Sequence, residues 1–412
     1  MPFALAVADA LPTLGDAAVR EQALRAFEAA GLPSTRDEVW RYAPLERLDL
    51  DRVRPATTAG DVPSSRLADA IAAGACAVVH TVDGFVVDRG TAPSGVRVSV
   101  APPGATPLEG SPEERYAADA FALVNAALAP GALEIRVDRD VALEAPLVIV
   151  HHVSSGLAVA PRTHIVLERG ASATVVELLV GGAGSVVVPV GEYRLEANSS
   201  LRLVAYQRLA MDAWHVARTT AVIDRDARMS HSVLGLGAGY DRSRNDAELI
   251  ASGARNELRT TYLGRADQVH DLRTRQFHRA ARTTSVLLSK GAVDDASRSI
   301  YTGLIEIEHG ARKTDARQTN HNLLLSPHAH ADSVPNLDIR ENDVVCAHAS
   351  TVGPLDELQL WYLESRGVSR EDAQRLMIQG FFAEMLDDLP SGVATSMEED
   401  VAALLGGVEV SA

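Results

Sequence analysis

The chain has 412 residues, of which 46% are hydrophobic and only 4% aromatic, so folding must rest on aliphatic rather than ring packing. A formal net charge of −16 excludes a protein that wraps nucleic acid, because phosphate neutralisation needs a basic surface, and it favours protein partners. The length exceeds one ordinary globular domain, although an elongated repeat would use it without dividing into separate cores.

Lys290 and Lys313 are the only lysines among the basic residues, a bias of genome composition rather than of function. Two cysteines far apart, Cys76 and Cys346, form neither a disulfide framework nor a multi-cysteine metal site, which fits a reducing compartment. The opening Met1-Pro2-Phe3-Ala4-Leu5-Ala6 has no basic n-region, and no apolar run reaches the ~18 to 20 residues of a membrane span. A cytoplasmic protein without membrane contact is expected.

From Asp16 to Ala30, apolar residues Ala17, Val19, Ala23, Leu24, Phe27 and Ala30 recur at roughly helical spacing, and Gly31-Leu32-Pro33 stops the segment. Thr35 and Glu38 then have capping-box spacing, and Trp40 with Tyr42 reads as a packing anchor for this lobe. Residues 52–66, rich in Pro, Thr, Ser and Gly, read as a linker. Strands over Ala77–His80 and Gly84–Val87 flank a turn at Asp83-Gly84, a loop follows from Ala101 to Pro112, and Glu113 to Leu128 reads as a helix ended by Pro130-Gly131. Cys76, inside the apolar run Ala75 to Val79, reads as a buried small hydrophobe.

From Leu133 the texture changes to short alternating strands separated by tight turns. The turn triplets centred on 170, 198, 226, 253, 280, 310 and 342 recur at steps of 28, 28, 27, 27, 30 and 32 residues. Their central residues are Gly170, Asn198, Asp226, Gly253, Ala280, Gly310 and Asn342. All but Ala280 tolerate a left-handed backbone. Such a period means that each repeat is one supersecondary unit whose apolar face is buried only when a neighbour stacks on it. With two strands per repeat and no intervening helix, the fold class is mainly β, a parallel β-helix or flattened β-solenoid. Three regions follow: a helical and mixed part over 1–132, the solenoid core over 133–353, and a helical appendage over 354–412.

A solenoid has exposed ends that must be capped or used to join another sheet. The N-terminal lobe is expected to shield one end. The other carries Asn342-Asp343-Val344-Val345-Cys346-Ala347-His348-Ala349-Ser350-Thr351, where Cys346 and His348, two apart on an extended strand, share a face. The pair reads either as a core thiol beside a satisfied histidine or as two soft ligands, too few for a closed metal site, so that a partner or substrate would complete the shell. Beyond Gly353-Pro354 the period is helical. Asp356 and Glu357 start one helix with Leu358, Trp361, Tyr362 and Ser365 on a face and Gly367 as its stop; Ser369 and Asp372 open a second with an apolar stripe of Ala373, Leu376, Met377, Gly380, Phe381 and Met385.

Three other constellations are weaker. His328, His330 and Asp332 resemble a metal cluster but sit between Pro327 and Pro335 in loop-like sequence; Asp294-Asp295 reads as a turn rather than an acid-base pair; Gly181-Gly182-Ala183-Gly184 lacks the helix and lysine of a phosphate loop.

Four stretches carry a family resemblance: Arg317-Gln318-Thr319-Asn320-His321-Asn322-Leu323-Leu324-Leu325-Ser326, Pro335-Asn336-Leu337-Asp338-Ile339, Asn342 through His348, and Leu355-Asp356-Glu357 through Tyr362-Leu363-Glu364-Ser365-Arg366-Gly367. They resemble the SufB/SufD family of iron-sulfur cluster assembly proteins. Trp40-Arg41-Tyr42 looks like the N-terminal aromatic motif of its SufD branch, and the shorter, cysteine-poor chain also lies nearer SufD than SufB. The resemblance implies a right-handed parallel β-helix, a heterodimer with SufB through the β-helix ends, and a SufC ATPase docked on the C-terminal helices through Leu358, Trp361, Tyr362, Arg366, Phe381 and Phe382. It also implies a transient iron-sulfur cluster at the partner interface, with His348 as the metal-binding residue and Cys346 beside it. By the same resemblance the chain is a non-catalytic scaffold, ATP is bound only through SufC, and no cofactor is held tightly by this chain alone. Where the family commonly has Gly after the histidine, this sequence has Ala349. Two other readings stand beside this one: a β-helix enzyme acting on polysaccharide, for which export, an aromatic groove and clustered carboxylates would be needed, and a homodimeric scaffold.

Overall fold

In the computed structural model, which describes residues 2–108 and 119–406, the chain from Ala132 to Pro354 winds into a two-sheet β-solenoid. Successive strands alternate between the sheets. The first sheet runs through Trp214–Ile223, Tyr240–Leu249, Val269–His278 and Arg298–Ile307 to His330–Ile339; the second runs through Arg228–Gly235, Arg255–Gly264 and Thr284–Val293 to Asp315–Leu324 and Val345–Pro354. All these neighbours are parallel and in unbroken register, so side chains stack in columns: Leu167, Leu195, Ile223, Leu249, His278, Ile307 and Ile339 form one of them. Aliphatic ladders fill the early coils, where Leu133, Ile135, Leu147, Ile149, Ile165, Leu195 and Leu203 are buried in one cluster.

One corner of the coil is a column of left-handed residues joined rung to rung by backbone hydrogen bonds. It comprises Asp140, Gly170, Asn198, Asp226, Gly253, Arg282 and Lys313. The turn period therefore finds this corner at 170, 198, 226 and 253 and then loses register. Arg282 (φ 60°), not Ala280, follows Gly253, whose N–H donates to the Arg282 carbonyl at 3.2 Å. Lys313 follows Arg282, and Gly310, three residues before Lys313, is also left-handed, whereas Asn342 is not. Neither Arg nor Lys signals a left-handed backbone. Here the stacked ladder imposes it.

The N-terminal helices are α1 (Pro2–Leu14), which periodicity did not mark, α2 (Ala17–Ala30), α3 (Arg66–Ala72) and α4 (Ala120–Leu128). Residues 113–118 of the expected Glu113 to Leu128 helix lie outside the described residues; Asp119 caps the described part by accepting from the Ala122 N–H at 3.1 Å. Phe3, Val7, Leu24, Phe27, Trp40 and Phe121 pack against Val186, Val188, Val216 and Val269 of the first sheet. The lobe thus covers a flank of the solenoid, not the end it was expected to shield, because the outer face of that sheet is itself apolar. Trp40 anchors it as expected, with the Arg242 guanidinium 3.7 Å over its ring. The Thr35 and Glu38 capping box does not form; Asp37 instead accepts from the Ser34 N–H at 2.8 Å and precedes a single turn of 3-10 helix, Glu38–Trp40.

The early end of the solenoid finishes on antiparallel strands. Phe85–Asp88 folds back on Ala77–Val82 through the expected turn, with Asp83 and Gly84 both at positive φ, and Val96–Ala101, read as preceding a loop but not as a strand, pairs with Ala132–Val137.

The C-terminal appendage holds three helices rather than two: α5 (Glu357–Ser365), α6 (Arg370–Ala383) and α7 (Ser391–Leu405). Asp356 accepts from the Leu358 and Gln359 N–H groups, and Ser369 caps α6 through the Asp372 N–H at 3.1 Å. Ile378, Phe382, Val393, Met397 and Val401 lie on Val148, Val150, Val176 and Val204 of the second sheet. Lys290 with Glu384, Arg259 with Asp388 and Arg208 with Asp400, each at 2.7 Å, tie the helices to that flank. Among the described residues no helix is long and apolar enough to cross a membrane.

Candidate functional site

With helices on both flanks, the late end of the solenoid is left open. Among the described residues Val345–Pro354 pairs only with Asp315–Leu324, and His330–Ile339 only with Arg298–Ile307, so each sheet ends on an unpaired edge. The Val345 N–H donates back to the Thr314 carbonyl at 2.9 Å. Successive residues of a parallel strand turn their amides to opposite sides. The amides of Ala347, Ala349 and Thr351 therefore face the preceding strand, while those of Cys346, His348, Ser350 and Val352 face outward. In the other terminal strand, His330 and Arg340 donate back to Ser297 and Ile307, which puts Pro335 on the outward parity, where its missing N–H breaks no ladder bond. Pro335 and His330 to Asp332 accordingly belong to a strand, not to the loop that their sequence suggested.

Cys346 packs against Ile305, Ile307 and Ala316, and the Ser350 hydroxyl donates to that of Ser333 at 2.7 Å across the gap between the sheets. Cys346, His348, Ser350 and Val352 therefore share the face that points into the solenoid. In an earlier coil such positions would be sealed by the next rung. Among the described residues no rung follows here, and His348 is exposed, as are Val352 on its own strand and the inward-facing Leu337 and Ile339 of the other terminal strand. Single exposed apolar residues are ordinary, but inward-facing ones left uncovered on a double sheet edge mark an interaction surface. Cys346 is half-buried; burial and the nearby Asp315 carboxylate push its thiol up, so at neutral pH it is a thiol and not an activated thiolate. Among the described residues no group of three or more His, Cys, Asp or Glu could hold a metal ion. The imidazole and thiol thus share one inward-facing side of the open terminal strand.

The remaining sequence candidates fall elsewhere. His330 contacts Asp332 at 3.2 Å, and Arg298 takes the same carboxylate at 2.5 Å, an ion-paired surface strand rather than a metal nest. Asp294-Asp295 forms a turn, with Asp295 at φ 52°. Gly181, the last residue of the strand Ser172–Gly181, and Gly182 and Gly184 in the turn after it all have positive φ. Cys76 is half-buried and its thiol, too, is pushed up by burial.

On α5, Leu358 (72% exposed), Trp361 (64%) and Tyr362 (53%) form an apolar face with no neighbour on it, and Arg366 lies 5.2 Å over the Tyr362 ring. Of the stripe that spacing suggested on α6, Ala373 and Met385 are buried and Met377 and Phe381 are half-buried against the core, whereas Leu376 and Gly380 are exposed; Ile378 and Phe382 complete the buried side. Phe382 is 2% exposed and cannot meet a partner in this arrangement, and Phe381 is half-buried beneath the Lys290 ammonium. These two aromatics attach the appendage to the solenoid, because Phe382 faces the sheet and Phe381 follows it around the helix. Sequence reasoning quoted Gln318, Asn320 and Asn322 within a family motif but gave them no place at the site; all three are buried beneath the open rung. Their spacing of two in a strand was the available signal.

Residues 150–381 match a family model described as SUF system FeS cluster assembly, SufBD core domain. The chain is 30% identical over 383 residues to the iron-sulfur cluster assembly protein SufD of Escherichia coli (strain K12), spanning 90% of this chain and 88% of that one. It is 32% identical over 272 residues to the protein of the same name in Bacillus subtilis (strain 168), spanning 65% and 62%. An iron-sulfur cluster assembly SufBD family protein of Mycobacterium leprae (strain TN) is 30% identical over 374 residues, spanning 88% of this chain and 87% of that one.

Proposed function

This chain belongs to the SufBD family of iron-sulfur cluster assembly proteins, and from that membership we propose that it is a non-catalytic scaffold subunit whose open rung receives a partner and a nascent cluster together. The observation that carries the proposal is the exposure of His348 on an inward-facing position of a strand whose outer edge has no partner. A neighbouring solenoid that continues the sheet would bring its own ligands to the imidazole and shut the site from water in one step. The second sheet offers the cleaner edge, since the first is interrupted at Pro335. SufB is the partner proposed for this edge. The cluster is cargo, held by His348 and ligands of the partner, with the Cys346 thiol close by.

The α5 face of Leu358, Trp361, Tyr362 and Arg366 is proposed to dock a SufC-type ATPase, which alone binds ATP. Because α5 follows the terminal strand with only Leu355 and Asp356 between them, a pull on α5 acts directly on the strand that carries His348. On this proposal, ATP-driven movement opens or closes the cluster site. The isolated chain has the same edge to offer a second copy of itself; light scattering of the chain alone, and then with the partner, separates self-pairing from heterodimer formation.

In the reconstituted complex, His348→Ala is expected to lower iron and sulfide retained per complex by roughly tenfold or more, since loss of even a supporting group around a metal costs about 10- to 100-fold. Complex formation should be unchanged, because the variant retains the backbone edge. Full cluster content in the variant would remove the proposed ligand role.

A further inference from the structure

We infer that Gln318 is a positioning residue for the imidazole of His348, a role that rests on the cluster-holding function proposed for that histidine. Gln318 is the register partner of His348 on the preceding strand and lies directly beneath it on the same inward face. It is 1% exposed, yet among the described residues neither its Nε2 nor its Oε1 has a hydrogen-bond partner. The carboxamide extends across the gap between the sheets to Gly303, where a Cβ would stand 2.5 Å from both amide atoms, so the missing side chain at 303 is what admits it. Pro335 stacks above Gly303 in the terminal strand, and the amide therefore forms the floor of the open rung.

An orphaned buried amide lowers stability, and a leucine of similar volume would remove that cost. Its neighbours along the strand show the same pattern: Asn320 Oδ1 and Asn322 Nδ2 are also without partners, although Asn320 donates through Nδ2 to the Ser333 hydroxyl at 2.9 Å. What a free carboxamide offers at this place is an acceptor. A neutral imidazole that gives one ring nitrogen to iron carries its proton on the other, and ligating histidines are held in that tautomer by a group that accepts the N–H. The Gln318 strand lies one strand spacing, about 4.8 Å, below that of His348, and Gln318 Oε1 is an acceptor with no partner among the described residues. With His348 turned onto the cluster, Oε1 takes its N–H, and the amide N–H groups remain for a sulfide or a partner group. The amide is thus left unpaired in the free subunit and becomes paired when the site is filled.

The test compares Gln318→Leu, Gln318→Glu and His348→Ala in the full chain. Measurements are the melting temperature of the chain alone and the iron and sulfide retained by the reconstituted complex. Gln318→Leu is expected to melt at or above the wild-type temperature while retaining roughly tenfold less iron. Gln318→Glu, which keeps an acceptor, is expected to restore most of the iron despite a lower melting temperature. A lower melting temperature for Gln318→Leu with iron content unchanged would show a purely structural amide and overturn the inference, as would equal iron loss in the Leu and Glu variants. Full iron in His348→Ala would instead remove the cluster-holding role itself, whereas iron loss in His348→Ala without loss in Gln318→Leu removes only the positioning role.

Discussion

Leu337→Asp is expected to abolish joining of the chain to its partner while leaving the chain itself folded. Leu337 faces inward from the terminal strand of the first sheet, in register with buried Ile305, yet stays exposed because no coil covers it. In the free subunit an aspartate there remains in water, and its cost stays within about 0.5 kcal/mol, as for other surface substitutions. Once a partner rung stacks on it, the carboxylate is sealed between coils without a counter-charge. An inward-pointing charge is also the device by which sheet proteins protect their own edges. Loss of an interface anchor alone costs about 2–4 kcal/mol, roughly 30- to 700-fold in affinity, and the buried charge adds to it. Titration calorimetry with the purified partner measures the loss, and an unchanged melting temperature shows that the fold is intact. Binding at wild-type affinity would mean that partners do not meet through this end.

Trp361→Ala is expected to weaken docking of the ATPase subunit by about 2–4 kcal/mol, the range for an aromatic anchor, and to leave the melting temperature within about 1–2 °C of wild type. Trp361 is exposed beside Leu358 and Tyr362, and only Leu360 of α5 is buried. Phe382→Ala should do the reverse. Its ring lies in the apolar layer between α6 and the second sheet, so truncation leaves a cavity worth about 3–5 kcal/mol of stability. The α5 face proposed for docking is untouched by that change. The two variants together separate a docking face from its support, a separation that aromatic content alone did not make. Equal effects of both on docking at equal stability would remove the assignment of the α5 face.

How legible the molecule was follows from how local each signal is. The stacked strands were legible because a coil of near-constant length repeats its turn chemistry, and Gly170, Asn198, Asp226 and Gly253 carry it in plain residue types. The corner at Arg282 and Lys313 was not, because there the neighbouring rungs impose the left-handed backbone against residue preference. Helix existence was clear for α2, α5 and α6 from caps and stops such as Gly31, Asp356, Ser369 and Gly367. Helix placement was not, since whether a lobe covers an end or a flank depends on which outer sheet face is apolar. Residues Val186, Val188 and Val216 settle that only when aligned across coils. The strand from His330 was hidden by Pro335, which reads as a breaker and is tolerated only because its amide position faces an empty edge. Cys346 and His348 could be placed on one face from their spacing. Their exposure depended on the absence of a following coil, and the orphaned Gln318 beneath them on its neighbours in three dimensions.

The central claim is that the outer edge of Val345–Pro354 becomes an inner one when the partner binds. Amide hydrogen exchange resolved by residue, with and without the partner, tests it most directly. The account predicts that the outward amides of Cys346, His348, Ser350 and Val352 exchange quickly in the free chain and are protected on binding, while those of Ala347, Ala349 and Thr351, already bonded to the preceding strand, change little. Continued fast exchange of those four amides in a saturated complex would contradict it.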